Sequence, residues 1–131
     1  MGKRLIAEAL RDVLDGMGLG EAVVEYEVPV ATRESHRVID VCVAYPCGWR
    51  EAHECQLAAI TPEELEIRTR DYLDAGIDCV WWLGEGSRAD RPENREWLYR
   101  KQGEVVLLVL PQVAGEDAMP GEAARIEAAI G

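Results

Sequence analysis

Three polar residues fall at alternating positions on two neighbouring segments that both have the character of β-strands. Asp40 lies within residues 37–45, and Glu54 and Gln56 lie within residues 51–57. The first segment is rich in β-branched side chains, which favour strands. An acid at one strand position and an acid and an amide on the next strand can converge on a single patch of a sheet.

The period-two geometry of a strand predicts which side chains share a face. We expect Val38, Asp40 and Cys42 on one face and Ile39 and Val41 on the other. The side chain of Asp40 then lies on the opposite face of the strand from its apolar neighbours Ile39 and Val41.

A turn at residues 46–49 joins the two segments into a hairpin. With the turn centred near Gly48, Asp40 lies opposite Gln56 and diagonal to Glu54, at separations of about 4.5–8 Å. Two carboxylates at that spacing can hold a Mg²⁺ ion, with water or a backbone carbonyl completing its octahedron. The ion would activate a water molecule and neutralise charge developing on a scissile phosphate.

A simpler interpretation of the same residues stays open. Asp40 could face solvent, as acidic residues on wet strand faces commonly do. Glu54 could form an ordinary ion pair with Arg37 or Arg68. Spacing alone favours this interpretation, since the convergence depends on the strand register.

Periodicity and turn signals give the elements that must position the hairpin. Apolar spacing predicts a helix over 3–17, and Thr61, Pro62 and Glu64 form a capping box that starts a second helix, which ends at Gly76. The remaining predicted elements are strands at 22–30, 37–45, 51–57, 77–83 and 104–110, and helices at 90–100 and 121–129. This α-β-β-β-α-β order predicts an α/β fold with a mixed central sheet flanked by helices.

Composition indicates a single globular domain. The chain has 131 residues, of which 48% are hydrophobic and 30% charged, and no apolar run approaches the roughly 20 residues that cross a bilayer. The four cysteines, Cys42, Cys47, Cys55 and Cys79, form no CxxC pair, and the two histidines complete no zinc spacing. Buried free thiols are the favoured interpretation over disulfides, and we expect a cytoplasmic protein without membrane partners.

The charge balance weighs against tight, nonspecific binding to duplex DNA. The 25 acidic residues outnumber the 14 basic ones, giving a formal net charge of −11. Two groups of basic residues still allow a local basic surface. The first flanks the hairpin, Arg33, Arg37 and Arg50, and the second consists of Arg88, Arg91, Arg95, Arg100 and Lys101.

About 45 residues resemble the nuclease domain of competence protein CoiA-like proteins. The resemblance rests on Arg37-x-x-Asp40-Val41, then Glu54-Cys55-Gln56, then Arg68-Thr69-x-x-Tyr72, and Gly76-Ile77 ahead of Trp81. Such proteins are similar to the wider PD-(D/E)xK nuclease superfamily, whose restriction-endonuclease-like core is an αβββαβ unit. The resemblance implies a core at about residues 3–84 and a C-terminal extension at 88–131 within one domain.

The resemblance also implies roles for five residues. Asp40 and Glu54 would be catalytic ligands of Mg²⁺ or Mn²⁺. Gln56 would be the third catalytic residue, at the position where many superfamily members have a lysine; a glutamine there can only hydrogen-bond. Arg37 and Arg68 would bind phosphate or hold the carboxylates in place.

Two functions follow from this resemblance as expectations. The first is a Mg²⁺-dependent endodeoxyribonuclease or DNA-processing domain, a hydrolase acting on phosphodiesters of duplex or single-stranded DNA. The second is a catalytically inactive nuclease fold that serves as a protein-interaction module, favoured by the net charge and by the absent lysine. A homodimer or another protein partner is compatible with either.

Overall fold

A computed structural model describes residues 2–33 and 35–110, together with the backbone of 124–127. The elements in chain order are α1 (Gly2–Gly16), β1 (Val23–Ala31), β2 (His36–Ala44), β3 (Arg50–Gln56), α2 (Pro62–Asp74), β4 (Ile77–Gly84), α3 (Pro92–Gln102), β5 (Val105–Leu108) and β6 (Ala124–Glu127). The predicted αβββαβ order is confirmed, and most element ends lie within two residues of their expected positions.

The six strands form one mixed sheet in the order β1-β2-β3-β4-β5-β6. The pairs β1–β2, β2–β3 and β5–β6 are antiparallel, whereas β3–β4 and β4–β5 are parallel. The parallel pairs are joined by α2 and α3, as crossover connections require. This arrangement confirms the α/β fold class and is consistent with a restriction-endonuclease-like core.

Helices cover both faces of the sheet, as the adjacent tryptophans of β4 illustrate. Trp82 belongs to the core cluster under α1, with Ile6 and Val41, whereas Trp81 belongs to the cluster under α2 and α3, with Leu65 and Leu98. Consecutive strand residues point to opposite faces, so both rings are buried in different layers. The two tryptophans are therefore core residues.

Local signals fix α2, the helix nearest the hairpin. Thr61 Oγ1 accepts from the Glu64 amide over 3.2 Å, and Pro62 occupies the first turn. Beyond the C-terminus of the helix, Gly76 adopts φ +78°, a conformation that favours glycine. The helix start predicted from the capping box is confirmed.

The C-terminal prediction is wrong where the structure describes it. Residues 124–127, expected within a helix, form β6 and pair with β5; the other residues of the predicted helix at 121–129 lie outside the described part. A segment this short gains little from isolated helix formation, whereas pairing satisfies the second edge of β5.

Among the helices that the structure describes, none combines the length and the apolar character that a membrane span requires.

Candidate active site

The register of the β2–β3 hairpin differs from the predicted one by two residues. Observed pairs run from Ala44↔Arg50 to Val41↔His53, so the next step places Asp40 opposite Glu54 instead of Gln56. The hairpin is therefore centred one residue before Gly48. A shift of two residues keeps every side chain on its face, so the predicted meeting of Asp40 and Glu54 does not depend on this error.

The strand alternation changes at Asp40. Ile39 and Cys42 both pack in the core cluster under α2, whereas Val41 packs in the cluster under α1. The expectation that Ile39 and Val41 share a face is therefore wrong. Glu27, which the β1 register places beside Asp40, has φ +50°, a conformation rare for a residue other than glycine. A kink in the β1–β2 pair thus lies at the candidate site.

Side-chain hydrogen bonds take over where the regular β2–β3 ladder ends. The Asp40 amide donates to Glu54 Oε2 over 3.0 Å, and the Cys55 amide donates to Asp40 Oδ2 over 2.8 Å. Each carboxylate therefore accepts from the opposite strand, and the positions of the two acids are fixed relative to each other. Neither of the ion pairs considered for Glu54, with Arg37 or with Arg68, is formed.

Glu54 is buried against Tyr72 of α2. The Tyr72 hydroxyl donates a short hydrogen bond to Glu54 Oε1. Burial is the main cause that raises the pKa of Glu54 to about 7, and the charge of Asp40 raises it further, while the hydrogen bonds from Tyr72 and the Asp40 amide lower it. Burial and the Glu54 carboxylate also raise the pKa of Tyr72, so this hydroxyl remains a donor.

A cation from α1 contacts Asp40, one of the two site acids. Lys3 Nζ lies 3.4 Å from Asp40 Oδ1 and 3.0 Å from Glu27 Oε1. The hydrogen bond to Glu27 is the main cause that raises the pKa of Lys3, and Asp40 adds to it. Sequence reasoning missed Lys3, because its separation from Asp40 along the chain gives no signal that α1 delivers it there.

All five predicted site residues line one cavity of about 280 Å³. The cavity lies between the β2–β3 hairpin and α2. Its lining consists of Asp40, Glu54, Gln56, Arg37 and Arg68, with His36, Val38, Tyr72 and Trp81. The sequence thus identified residues that the fold brings together, while their chemical roles stay predictions.

Arg37 is committed to a buried partner. Its Nε lies 2.5 Å from Asp71 Oδ2 of α2, and the Asp71 side chain is 3% exposed. Thr32 Oγ1 and Ser35 Oγ, from the segment between β1 and β2, donate to the same oxygen over 2.7 and 3.4 Å. This network ties the β1–β2 hairpin to α2, and it gives Arg37 a supporting role in the wall of the cavity.

Three further side chains that could do chemistry or stack on a ligand lie outside the cavity. Glu8 is exposed and pairs with Arg4 on α1. His53 is buried on β3, where its Nδ1 accepts from Trp82 Nε1 over 3.0 Å. Trp49 stacks on Tyr45 of its own hairpin, with ring centroids 5.0 Å apart.

The second group of basic residues is largely neutralised. Arg95 pairs with Asp90, Arg100 with Glu96, and Lys101 with Glu66. These three residues therefore do not form a strongly basic surface on α3.

The donors at the site suit a hard divalent cation. Within the described part of the chain, no group of three or more His, Cys, Asp or Glu side chains is arranged to hold a metal ion. Asp40 and Glu54 instead offer oxygen donors from two carboxylates. Mg²⁺ is typically held by one or two carboxylates and retains several waters, whereas zinc favours four nitrogen or sulfur ligands. The residues present therefore fit Mg²⁺ or Mn²⁺.

The crystal structure of a protein of unknown function, AF1548, is similar to this chain, with a TM-score of 0.41 and 16% identity over 87% of this chain and 71% of that one. This likeness is too low to bear on function. No curated protein matches significantly. Residues 19–107, more than half of the chain, match the family described as competence protein CoiA, nuclease-like domain. The chain belongs to the CoiA nuclease-like domain family.

Proposed function

We propose that this nuclease-like domain is a metal-dependent nuclease that hydrolyses phosphodiester bonds in DNA. The observation that carries the proposal is the pair Asp40 and Glu54, held by reciprocal hydrogen bonds on one side of a cavity. Gln56, Arg37 and Arg68 line the same cavity, so acidic, amide and cationic groups surround one space.

Asp40 and Glu54 would hold Mg²⁺ or Mn²⁺. The metal, when bound, would lower the pKa of a coordinated water and offset negative charge on the phosphate. The raised pKa of Glu54 supports this assignment, because its cause is a buried carboxylate beside a second carboxylate. A divalent cation would relieve that unfavourable arrangement of charge.

The protein's own residues hold the two acids in position. Tyr72 donates to one oxygen of Glu54, while the Asp40 amide donates to the other. Lys3 contacts Asp40 Oδ1 from the opposite helix layer. Arg37, bound to Asp71, supports the hairpin wall instead of reaching freely into the cavity.

The charge distribution favours weak, salt-sensitive DNA binding. The net charge of −11 opposes association with phosphates, and three residues of the second basic group are paired with acids. A homodimer or a protein partner would add binding surface to that of the residues that the structure describes. The apolar strand β5 (Val105–Leu108) lies between β4 and β6 and so offers no open edge for a partner strand. Four free cysteines support a reducing, cytoplasmic location.

The second candidate function is a catalytically inactive nuclease fold that binds another protein. Gln56 at the position of the superfamily lysine and the acidic surface favour it. The two candidates differ in metal binding, because an interaction module needs no cation at Asp40 and Glu54.

Calorimetric titration with Mn²⁺ discriminates between them. We expect the wild type to bind Mn²⁺ and to cut plasmid or single-stranded DNA, and Asp40→Asn to lose both. Glu8→Gln is the matched control, because it makes a comparable carboxylate-to-amide change on the exposed surface of α1. A folded wild type that binds no Mn²⁺ would exclude the nuclease proposal and favour the interaction module.

A further inference from the structure

The side-chain amide of Gln56 has a defined orientation. Its Nε2 donates to the Ala58 carbonyl over 2.9 Å. The amide oxygen Oε1 is then the atom that faces Arg68, whose Nη1 lies 3.4 Å away. An amide nitrogen donates and an amide oxygen accepts, so this orientation is the one that satisfies both contacts.

Helix α2 places Arg68 in the cavity that Asp40 and Glu54 also line. It lies four residues before Tyr72, so the two side chains are neighbours on the helix surface. Tyr72 contacts Glu54, and both Arg68 and Glu54 line the cavity. The helix thus delivers a hydrogen-bond donor to Glu54 and, one turn earlier, a guanidinium to the same space.

Arg68 differs from Arg37 in its partners. Arg37 is held by the buried Asp71 carboxylate. Arg68 is exposed and, among the residues that the structure describes, has no carboxylate within ion-pair distance; its hydrogen bond runs to the neutral Gln56 oxygen. A neutral acceptor orients a guanidinium while leaving its charge uncompensated.

An oriented, uncompensated guanidinium is suited to a phosphate. The planar group presents several N–H donors in a fixed geometry that matches phosphate oxygens, and one nitrogen bound to Gln56 leaves others available. The Arg68 guanidinium would also offset the electrostatic repulsion between an incoming phosphate and the carboxylates of Asp40 and Glu54.

We propose that Gln56 and Arg68 act as one phosphate-binding unit, in which the Gln56 oxygen is the positioning group and Arg68 makes the contact. The inference rests on the proposed function for its substrate class, a nucleic-acid phosphodiester. It assigns Gln56 a role through Arg68 instead of a direct role in catalysis.

Fluorescence anisotropy with a short labelled single-stranded oligonucleotide tests this unit. Ca²⁺ at low ionic strength serves to neutralise the carboxylates, and four variants are compared: Arg68→Gln, Gln56→Leu, the double variant, and Arg70→Gln. The last is the matched control, because Arg70 lies on the same helix, is exposed and pairs with Glu66 outside the cavity.

We expect Arg68→Gln to weaken binding about tenfold and to lower the slope of log affinity against log salt by about 1, as for the loss of one phosphate contact. Gln56→Leu should weaken oligonucleotide binding less than Arg68→Gln does. The double variant should have the same affinity as Arg68→Gln alone, because the effect of Gln56 passes through Arg68. Arg70→Gln should bind like the wild type. Circular dichroism verifies that each variant is folded.

Two results from the variants would overturn the inference: equal affinities for Arg68→Gln and Arg70→Gln, or independent, additive losses from the two cavity substitutions. Absence of oligonucleotide binding by the wild type would overturn it as well. Cleavage of the same oligonucleotide in Mn²⁺ is scored separately. Arg68-dependent binding with no cleavage of this oligonucleotide or of plasmid DNA would count against the nuclease proposal and still support the phosphate-binding unit.

Discussion

The main-chain amide of Asp40 donates to the side chain of Glu54 over 3.0 Å, at the step where the β2–β3 ladder stops. The Cys55 amide in turn donates a hydrogen bond to Asp40 Oδ2. The two acids are therefore held by backbone groups of the strands that carry them. Their separation depends on the hairpin itself and not on a flexible ion pair.

Substitution of Glu54 should change the pH dependence of folding in the metal-free protein. Its pKa rises from 4.5 to about 7 on folding, so the folded state holds the proton more tightly. That stabilisation is complete below pH 4.5 and is lost as the pH rises through 7. Glu54→Gln should therefore gain stability relative to wild type between pH 5 and pH 8, by at most about 3 kcal/mol.

Urea unfolding in EDTA at several pH values measures this gain. Glu8→Gln is the control and should follow the wild-type curve. A constant difference between Glu54→Gln and wild type across the range would show that Glu54 is ionised in the folded protein at all of these pH values.

Removing the Tyr72 hydroxyl should shift the pH dependence of metal binding. The hydrogen bond from Tyr72 lowers the pKa of Glu54, so Tyr72→Phe should raise that pKa. A proton then competes with the cation up to a higher pH. Mn²⁺ affinity measured across pH 6–9, a range chosen around the pKa of about 7, should show a midpoint displaced upward. Tyr99→Phe, a change on the exposed surface of α3, should leave the midpoint unchanged.

Divalent cations should raise the thermal stability of the wild type. A ligand that binds only the folded state stabilises it in proportion to the logarithm of its concentration above Kd. Differential scanning fluorimetry should show a midpoint that rises with Mn²⁺ and falls back with EDTA. Asp40→Asn should show no such rise, and an equal rise in both proteins would place the cation elsewhere.

Breaking the network at Asp71 should destabilise the hairpin wall. Asp71→Asn leaves the Arg37 guanidinium, whose side chain is 24% exposed, without its charged partner. Loss of a buried ion-pair partner should cost about 2–4 kcal/mol of unfolding free energy. Chemical denaturation measures the loss, and hydrogen exchange should accelerate at the Thr32 amide, which donates to the Ser35 carbonyl. Asp74→Asn, at the exposed end of α2, is the control.

Local chemistry explains why most elements were predictable. β-Branched alternation marks β2, and the Thr61 cap with Pro62 marks the start of α2, since these signals act within a few residues. Residues 124–127 gave no comparable signal. Their strand conformation depends on pairing with β5, a contact made across the fold.

The sequence predicted five residues that line one cavity, but it did not predict how they contact one another. Asp40 and Glu54 lie on neighbouring strands and each accepts from a backbone amide of the other strand, so the two-residue register error did not change the prediction that they meet. The hydrogen-bond and ion-pair partners of these residues were not predictable, because they come from distant elements of the chain. These tertiary contacts are Lys3 with Asp40, Tyr72 with Glu54 and Asp71 with Arg37. The kink at Glu27 was also unforeseen, because nothing in its residue type indicates a positive φ.

The link between Arg37 and Asp71 has a consequence for how any ligand is received. Because it joins the hairpin to α2, the two walls of the cavity are positioned when the chain folds, before a ligand arrives. Little conformational entropy is then lost on binding, which favours affinity for ligands that already match the cleft. A ligand too wide for the cleft would have to separate the partly buried ion pair, which would disfavour its binding.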